Sequence, residues 1–135
     1  MAGAVKTSIS PMLSVRHGAK AIEFYKKAFG AEELFRIGEE GSGVVAQMSM
    51  GGAEFWLSDE APEFLSFSPE SLGPEFGGCT VRMVLVVPDP DAVFARAVGA
   101  GAKRISPVGD KEYGWRVGRV RDPFGHHWEI GKPLG

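Results

Sequence analysis

Residues 113–133 read YGWRVGRVRDPFGHHWEIGKP. Two extended runs, GWRVGRVRD and HHWEIGK, flank the four residues DPFG. Pro123 supplies the fixed backbone angle of a turn's second position, and Gly125 tolerates the positive φ that a returning strand demands. The stretch therefore predicts two antiparallel strands. Side chains alternate across a strand, so Trp128 and Ile130 share one face of the last strand and His127 and Glu129 the other. The apolar pair predicts a face against helices, and the polar pair a face turned toward a cavity.

Working outward, TVRMVLVV (80–87) reads as a buried strand, and Asp89-Pro90 opens a helix with a capping side chain followed by proline at the first position. DAVFARAVGAG continues that helix, and KRISPV is a further strand. The first half has the same order. ISPMLSV is a strand. In AKAIEFYKKAFG, Ala21, Ile22, Tyr25, Ala28 and Phe29 recur at helical spacing before Gly30, and AEELFRIG, GVVAQMSM and AEFWLSD are three strands divided by glycines. Val15 and Val87 lie 72 residues apart, the Gly-Ala pairs 30–31 and 101–102 lie 71 apart, and Trp56 and Glu129 lie 73 apart. This offset predicts a duplicated βαβββ unit. Module one covers about 7–60, a Pro-, Gly- and Ser-containing loop about 61–79, and module two about 80–133, within a single domain. Phe64, Phe67 and Phe76 predict that the loop packs down on the body.

At 135 residues and 44% hydrophobic content, the chain matches one globular domain. A net charge of −2 argues against a nucleic-acid face, and no apolar run is long enough to cross a bilayer. The opening MAGAVKTSISPML lacks a charged leader with a long apolar run, and Cys79, the single cysteine, cannot form an internal disulfide. A cytoplasmic location is expected, with a small organic molecule as partner and neither nucleic acid nor membrane.

The segments ISPMLSV, AIEFYKKAFGAEE, VVPDPDAVFARAVGAGA and YGWRVGRVRDPFGHHWEIGKP resemble the vicinal oxygen chelate superfamily, which includes glyoxalase I, bleomycin resistance proteins and extradiol dioxygenases, and are most similar to its PhnB-like branch. The resemblance implies an α+β fold in which paired βαβββ modules curl into an open, cup-shaped barrel, often in a homodimer. It also implies four metal-ligand places, one on each of four equivalent strands, which fall here on Ser10, Trp56, Arg82 and Glu129. Only Glu129 suits a divalent ion, because tryptophan offers no lone pair, neutral serine binds poorly and arginine brings a fixed positive charge. No metal and no other cofactor is expected.

Alternation turns Ser10, Met12 and Ser14 toward the cup and Leu13 and Val15 into the core. On 80–87 it buries Met83, Leu85 and Val87 and leaves Arg82, Val84 and Val86 on the cup. Trp56 points inward, while Phe55 and Leu57 go beneath a helix. The expected ligand-binding set is Met12, Trp56, Arg82, Val84, Arg116, His127 and Glu129. Arg116 reads equally as a sheet-edge salt bridge, and Arg82–Glu129 or His127–Glu129 as an internal ion pair. His126 reads as a turn residue, His17 as surface, and Tyr113 and Trp115 as amphipathic rim residues. A metal-free small-molecule binder is the leading reading. The alternatives are an enzyme with Glu129 or His127 as catalytic group, a metal-dependent lyase, isomerase or dioxygenase, and an interaction protein whose cavity is filled by side chains.

Overall fold

The computed structural model describes residues 4–39, 43–73 and 75–135. Module one comprises β1 (Met12–Val15), α1 (Gly18–Phe29), β2 (Glu32–Ile37), β3 (Val45–Met50) and β4 (Ala53–Asp59). Module two comprises β5 (Met83–Val86), α2 (Pro90–Ala100), β6 (Lys103–Asp110), β7 (Trp115–Arg121) and β8 (His127–Pro133). The sheets have matching orders, β1-β4-β3-β2 and β5-β8-β7-β6, with β1 parallel to β4 and β5 parallel to β8. The duplicated α+β architecture is thus present, and among the described residues no ladder joins the two sheets, consistent with an open cup. Between the modules lie two short 3₁₀ turns, Pro62–Phe64 and Pro69–Leu72.

Helix α1 buries Ala21, Ile22, Phe24, Tyr25 and Ala28 and ends at Gly30, whose φ of 66° is left-handed. Its start is capped from a distance. His17 makes no side-chain cap, and the Asp59 carboxylate at the end of β4 accepts from the backbone amides of Gly18 (2.7 Å) and Val44 (3.0 Å). That carboxylate suits the positive end of the helix dipole, and position 18 has no room for a Cβ, which would stand 2.7 Å from Asp59 Oδ1. Helix α2 starts as its sequence predicts, with Asp89 Oδ1 accepting from the Ala92 amide at 3.2 Å.

The two helices pack against each other, and Arg96 of α2 donates through Nε to the Lys27 carbonyl of α1 at 2.7 Å. The core continues across this boundary. The Trp128 ring lies 4.7 Å from Phe29, 5.5 Å from Phe55 and 5.6 Å from Tyr25, so a module-two strand is buried largely by module-one aromatics.

Two expectations need correction. The loop aromatics do not pack down: Phe64, Phe67 and Phe76 are exposed, and the loop is held instead by Ser68, whose buried hydroxyl donates to the Phe124 carbonyl at 3.2 Å. The strand expected over 80–87 is reduced to Met83–Val86, and Arg82 and Ser10 precede their strands rather than lying in them.

Candidate functional site

The strands present the faces that alternation predicts. Leu13, Val15, Phe55, Leu57, Leu85, Trp128 and Ile130 are buried beneath the helices. On the opposite face Met12 is 51% exposed and Val84 63%, values high enough to mark an uncovered apolar surface. Met12 lies beside Trp56 in the β1–β4 register, and Val84 beside Glu129 in the β5–β8 register. The candidate residues therefore form two half-sites, one on each sheet.

The module-two half is a recess of about 140 Å³ lined by Val84, Tyr113, Trp115, Val117, Glu129 and Gly131. Beside it Arg82 Nε donates to Glu129 Oε2 at 3.0 Å, and Arg119 Nη2, from the facing residue of β7, lies 3.6 Å from Glu129 Oε1. The carboxylate raises the pKa of Arg82, chiefly by this hydrogen bond, and keeps the guanidinium charged. Arg119 was missed in the sequence. The cross-strand partner of Glu129 depends on the β7–β8 register, which the lengths of the two runs leave undetermined.

Arg116 takes no part in this recess. It sits on the other face of β7, where Nε and Nη2 form a two-pronged pair with Asp91 of α2, each at 2.7 Å, and Nη1 reaches Asp110 at 2.9 Å. A guanidinium bound by two carboxylates has its donors committed to joining helix to sheet.

His127 shares the face of Glu129 but does not pair with it. It is 4% exposed, and neither ring nitrogen has a hydrogen-bond partner. The Gly77 carbonyl is near enough to favour the ring proton without meeting hydrogen-bond geometry. Burial is the main cause that lowers the His127 pKa from its ordinary 6.5, helped by the charges of Arg119 and Arg121. The imidazole is neutral in the fold and takes a proton more readily when unfolded. Stability on this account is full above pH 6.5 and falls as pH drops toward the lower folded value. His127→Gln should remove that part of the acid-side loss, seen as a flatter urea-midpoint profile than the parent's below pH 6.5.

His126 does more than shape a turn. Its Nε2 donates to the Ser14 carbonyl at 2.9 Å, tying the start of β8 to β1 of the other module and setting the ring tautomer. His17 is exposed, as expected.

The turn itself is organised by Asp122, which is buried. Its Oδ1 accepts from the amides of Phe124 (3.0 Å) and His126 (2.9 Å), and its Oδ2 accepts from Tyr25 Oη (2.5 Å) and Trp128 Nε1 (2.9 Å). Burial, then the neighbouring Asp122 charge, raises the Tyr25 pKa well above its ordinary value, so the phenol remains a donor.

The donor set at the four inherited metal places does not fit a divalent cation. Ser10 precedes β1, Trp56 has no ligating lone pair, and Glu129 is already flanked by two guanidinium groups. Among the described residues no three His, Cys, Asp or Glu side chains come together as a possible ligand set, and no helix is long and apolar enough to cross a membrane.

Paired βαβββ modules, each a four-stranded sheet with one helix, define the class of protein to which the fold points. The chain belongs to the Glyoxalase/Bleomycin resistance protein/Dioxygenase superfamily, whose family model matches residues 9–130. It is 42% identical to the Mycobacterium bovis protein Mb0911c over 138 aligned positions, covering 99% of this chain and 88% of that one. Among solved structures it is similar to TioX from Micromonospora sp. ML1, at 26% identity and TM-score 0.69 over 93% of this chain and 95% of that one. The Arabidopsis thaliana At5g48480 gene product is likewise similar, at 28% identity and TM-score 0.66 over 94% and 98% of the two chains.

Proposed function

We propose that the chain is a metal-independent small-molecule-binding protein of the glyoxalase/bleomycin-resistance type, of the PhnB-like branch and cytoplasmic, working as a homodimer. The observation that carries this reading is the recess around Glu129: a carboxylate flanked by two arginines stands in a wall of Val84, Val117, Trp115 and Tyr113. A few oriented polar groups on an apolar wall are what small-ligand pockets offer. The recess of about 140 Å³ is too small for a drug-sized ligand, whose pockets run to roughly 300 Å³ or more. A second copy supplies the missing wall, with the Met12–Trp56 face of one protomer set over the Val84–Glu129 face of its partner. That pairing covers the exposed apolar side chains of Met12, Phe35 and Ile37 on one sheet and Val84 and Val86 on the other.

Light scattering at micromolar concentration should return twice the 14.5 kDa chain mass, and Val86→Lys should return the monomer. A wild-type monomer would remove the dimer and the composite cup with it.

The polar clamp has a signed test with the aromatic sulfonate 8-anilinonaphthalene-1-sulfonate, followed by fluorescence. Glu129→Gln leaves Arg82 and Arg119 without their counter-charge and should tighten binding of the sulfonate several-fold. Arg82→Gln should weaken it, and both variants should unfold near the wild-type midpoint. If the affinity moved with neither substitution, the recess would not be the binding site.

A further inference from the structure

A second cleft, sharing no lining residue with the Glu129 recess, lies where residues 69–73 and 76–78 meet the ends of β1, β6 and β7. Its volume is about 460 Å³, within the range of small-ligand sites. Arg16, Lys103 and Arg121 line it, one from each of three chain segments. Among the described residues, no carboxylate comes within ion-pair distance of any of the three. Two of them are set directly against each other, because Lys103 faces Arg121 in the β6–β7 register. Like charges on directly opposed residues of antiparallel strands are destabilising, and here the Lys103–Arg121 pair lines one cleft with Arg16 as a third cation.

Two carboxylates also line the cleft. Asp122 has both oxygens filled by the four donors described above, and Glu70 is exposed on the 69–72 turn. The Gly77 carbonyl takes only a long contact from Arg121 Nη1, at 3.5 Å, and leaves most of that guanidinium's donors unused. Gly77 and Gly78 form part of the wall without side chains, so a ligand can come close to the main chain. Phe76 and Pro123 add apolar surface.

We propose that this cleft binds a small phosphate monoester, with the phosphate held between Arg16, Lys103 and Arg121 and the organic group against Phe76 and Pro123. A dianion neutralises the opposed Lys103–Arg121 pair, and guanidinium donors match phosphate oxygens two at a time. The volume exceeds what inorganic phosphate fills and leaves space for the ester's body.

Calorimetric titration of the full chain with phenyl phosphate and with inorganic phosphate, in low-chloride buffer, tests this. The expected Kd for phenyl phosphate is below about 1 mM, with inorganic phosphate weaker and Lys103→Gln about tenfold weaker than wild type. Lys20→Gln, which removes one exposed positive charge from α1 outside both clefts, should bind as wild type does. Lys103 is exposed at a strand start, so its substitution leaves folding intact. Without phosphate, Lys103→Gln should unfold at the wild-type temperature or higher, since a repulsion is removed, and added phosphate should raise its midpoint far less. The proposal is overturned by any of three results: no phenyl phosphate binding tighter than about 10 mM, equal binding by wild type and Lys103→Gln, or a phosphate-free midpoint lowered by that substitution.

Discussion

Trp128→Ala should lower the unfolding free energy by about 3–5 kcal/mol in urea titration, the range for an aromatic deleted from a packed core. The indole is 1% exposed and is enclosed by Tyr25, Phe29 and Phe55, all of module one. The cavity therefore opens between the modules, where neither sheet can close over it without moving the other. Its Nε1 also donates to Asp122, so the substitution removes a charge-assisted hydrogen bond together with the packing. Trp128→Phe restores part of the volume and none of the donor, and should recover less than half of the loss. A cost for Trp128→Ala below about 1.5 kcal/mol would mean that the core rearranges freely around this position.

Asp122→Ala should cost on the order of 3–5 kcal/mol, since it strands four donors: Tyr25 Oη, Trp128 Nε1 and the amides of Phe124 and His126. Each buried donor left without a partner costs roughly 1–3 kcal/mol, and water entering the small space restores part of it. Asp122→Asn separates the contributions. It keeps one acceptor for the two turn amides and turns an amide group toward Tyr25 and Trp128. The tyrosine hydroxyl can rotate to accept, whereas the indole N–H cannot. A double-mutant cycle of Asp122→Asn with Trp128→Phe should therefore show a coupling of about 0.5–3 kcal/mol. Additive losses would show that the turn and the indole are held independently.

The local devices of this chain were legible in its sequence because they act over a few residues. Asp89-Pro90 starts α2, Gly30 closes α1, Gly125 turns β7 into β8, and alternation alone assigned the faces of β1, β4, β5 and β8 correctly. The repeat offset of 71–73 residues carried the duplication, since two copies of one topology must place equivalent residues at similar spacing. The pairing of Arg82 with Glu129 was also readable as one of two options, both residues having been placed on one face.

What tertiary structure alone decided is where each polar side chain finds its partner. Facing says which side of a sheet a residue occupies, and partner choice depends on register and on segments distant in the chain. Arg116 and Arg119 are three residues apart on β7, on opposite faces; Asp91 holds the first on the helix side, and Glu129 draws the second toward the cup. His127 shares the face of Glu129 yet is buried near Gly77 without a hydrogen-bond partner, where a residue distant in the chain meets the start of β8. Asp122 looked like a turn residue and is also the acceptor that binds Tyr25, 97 positions away, to Trp128. Strand periodicity and turn chemistry are short-range effects written in adjacent residues, whereas satisfying a buried charge or donor takes whichever group the completed fold brings within about 3 Å.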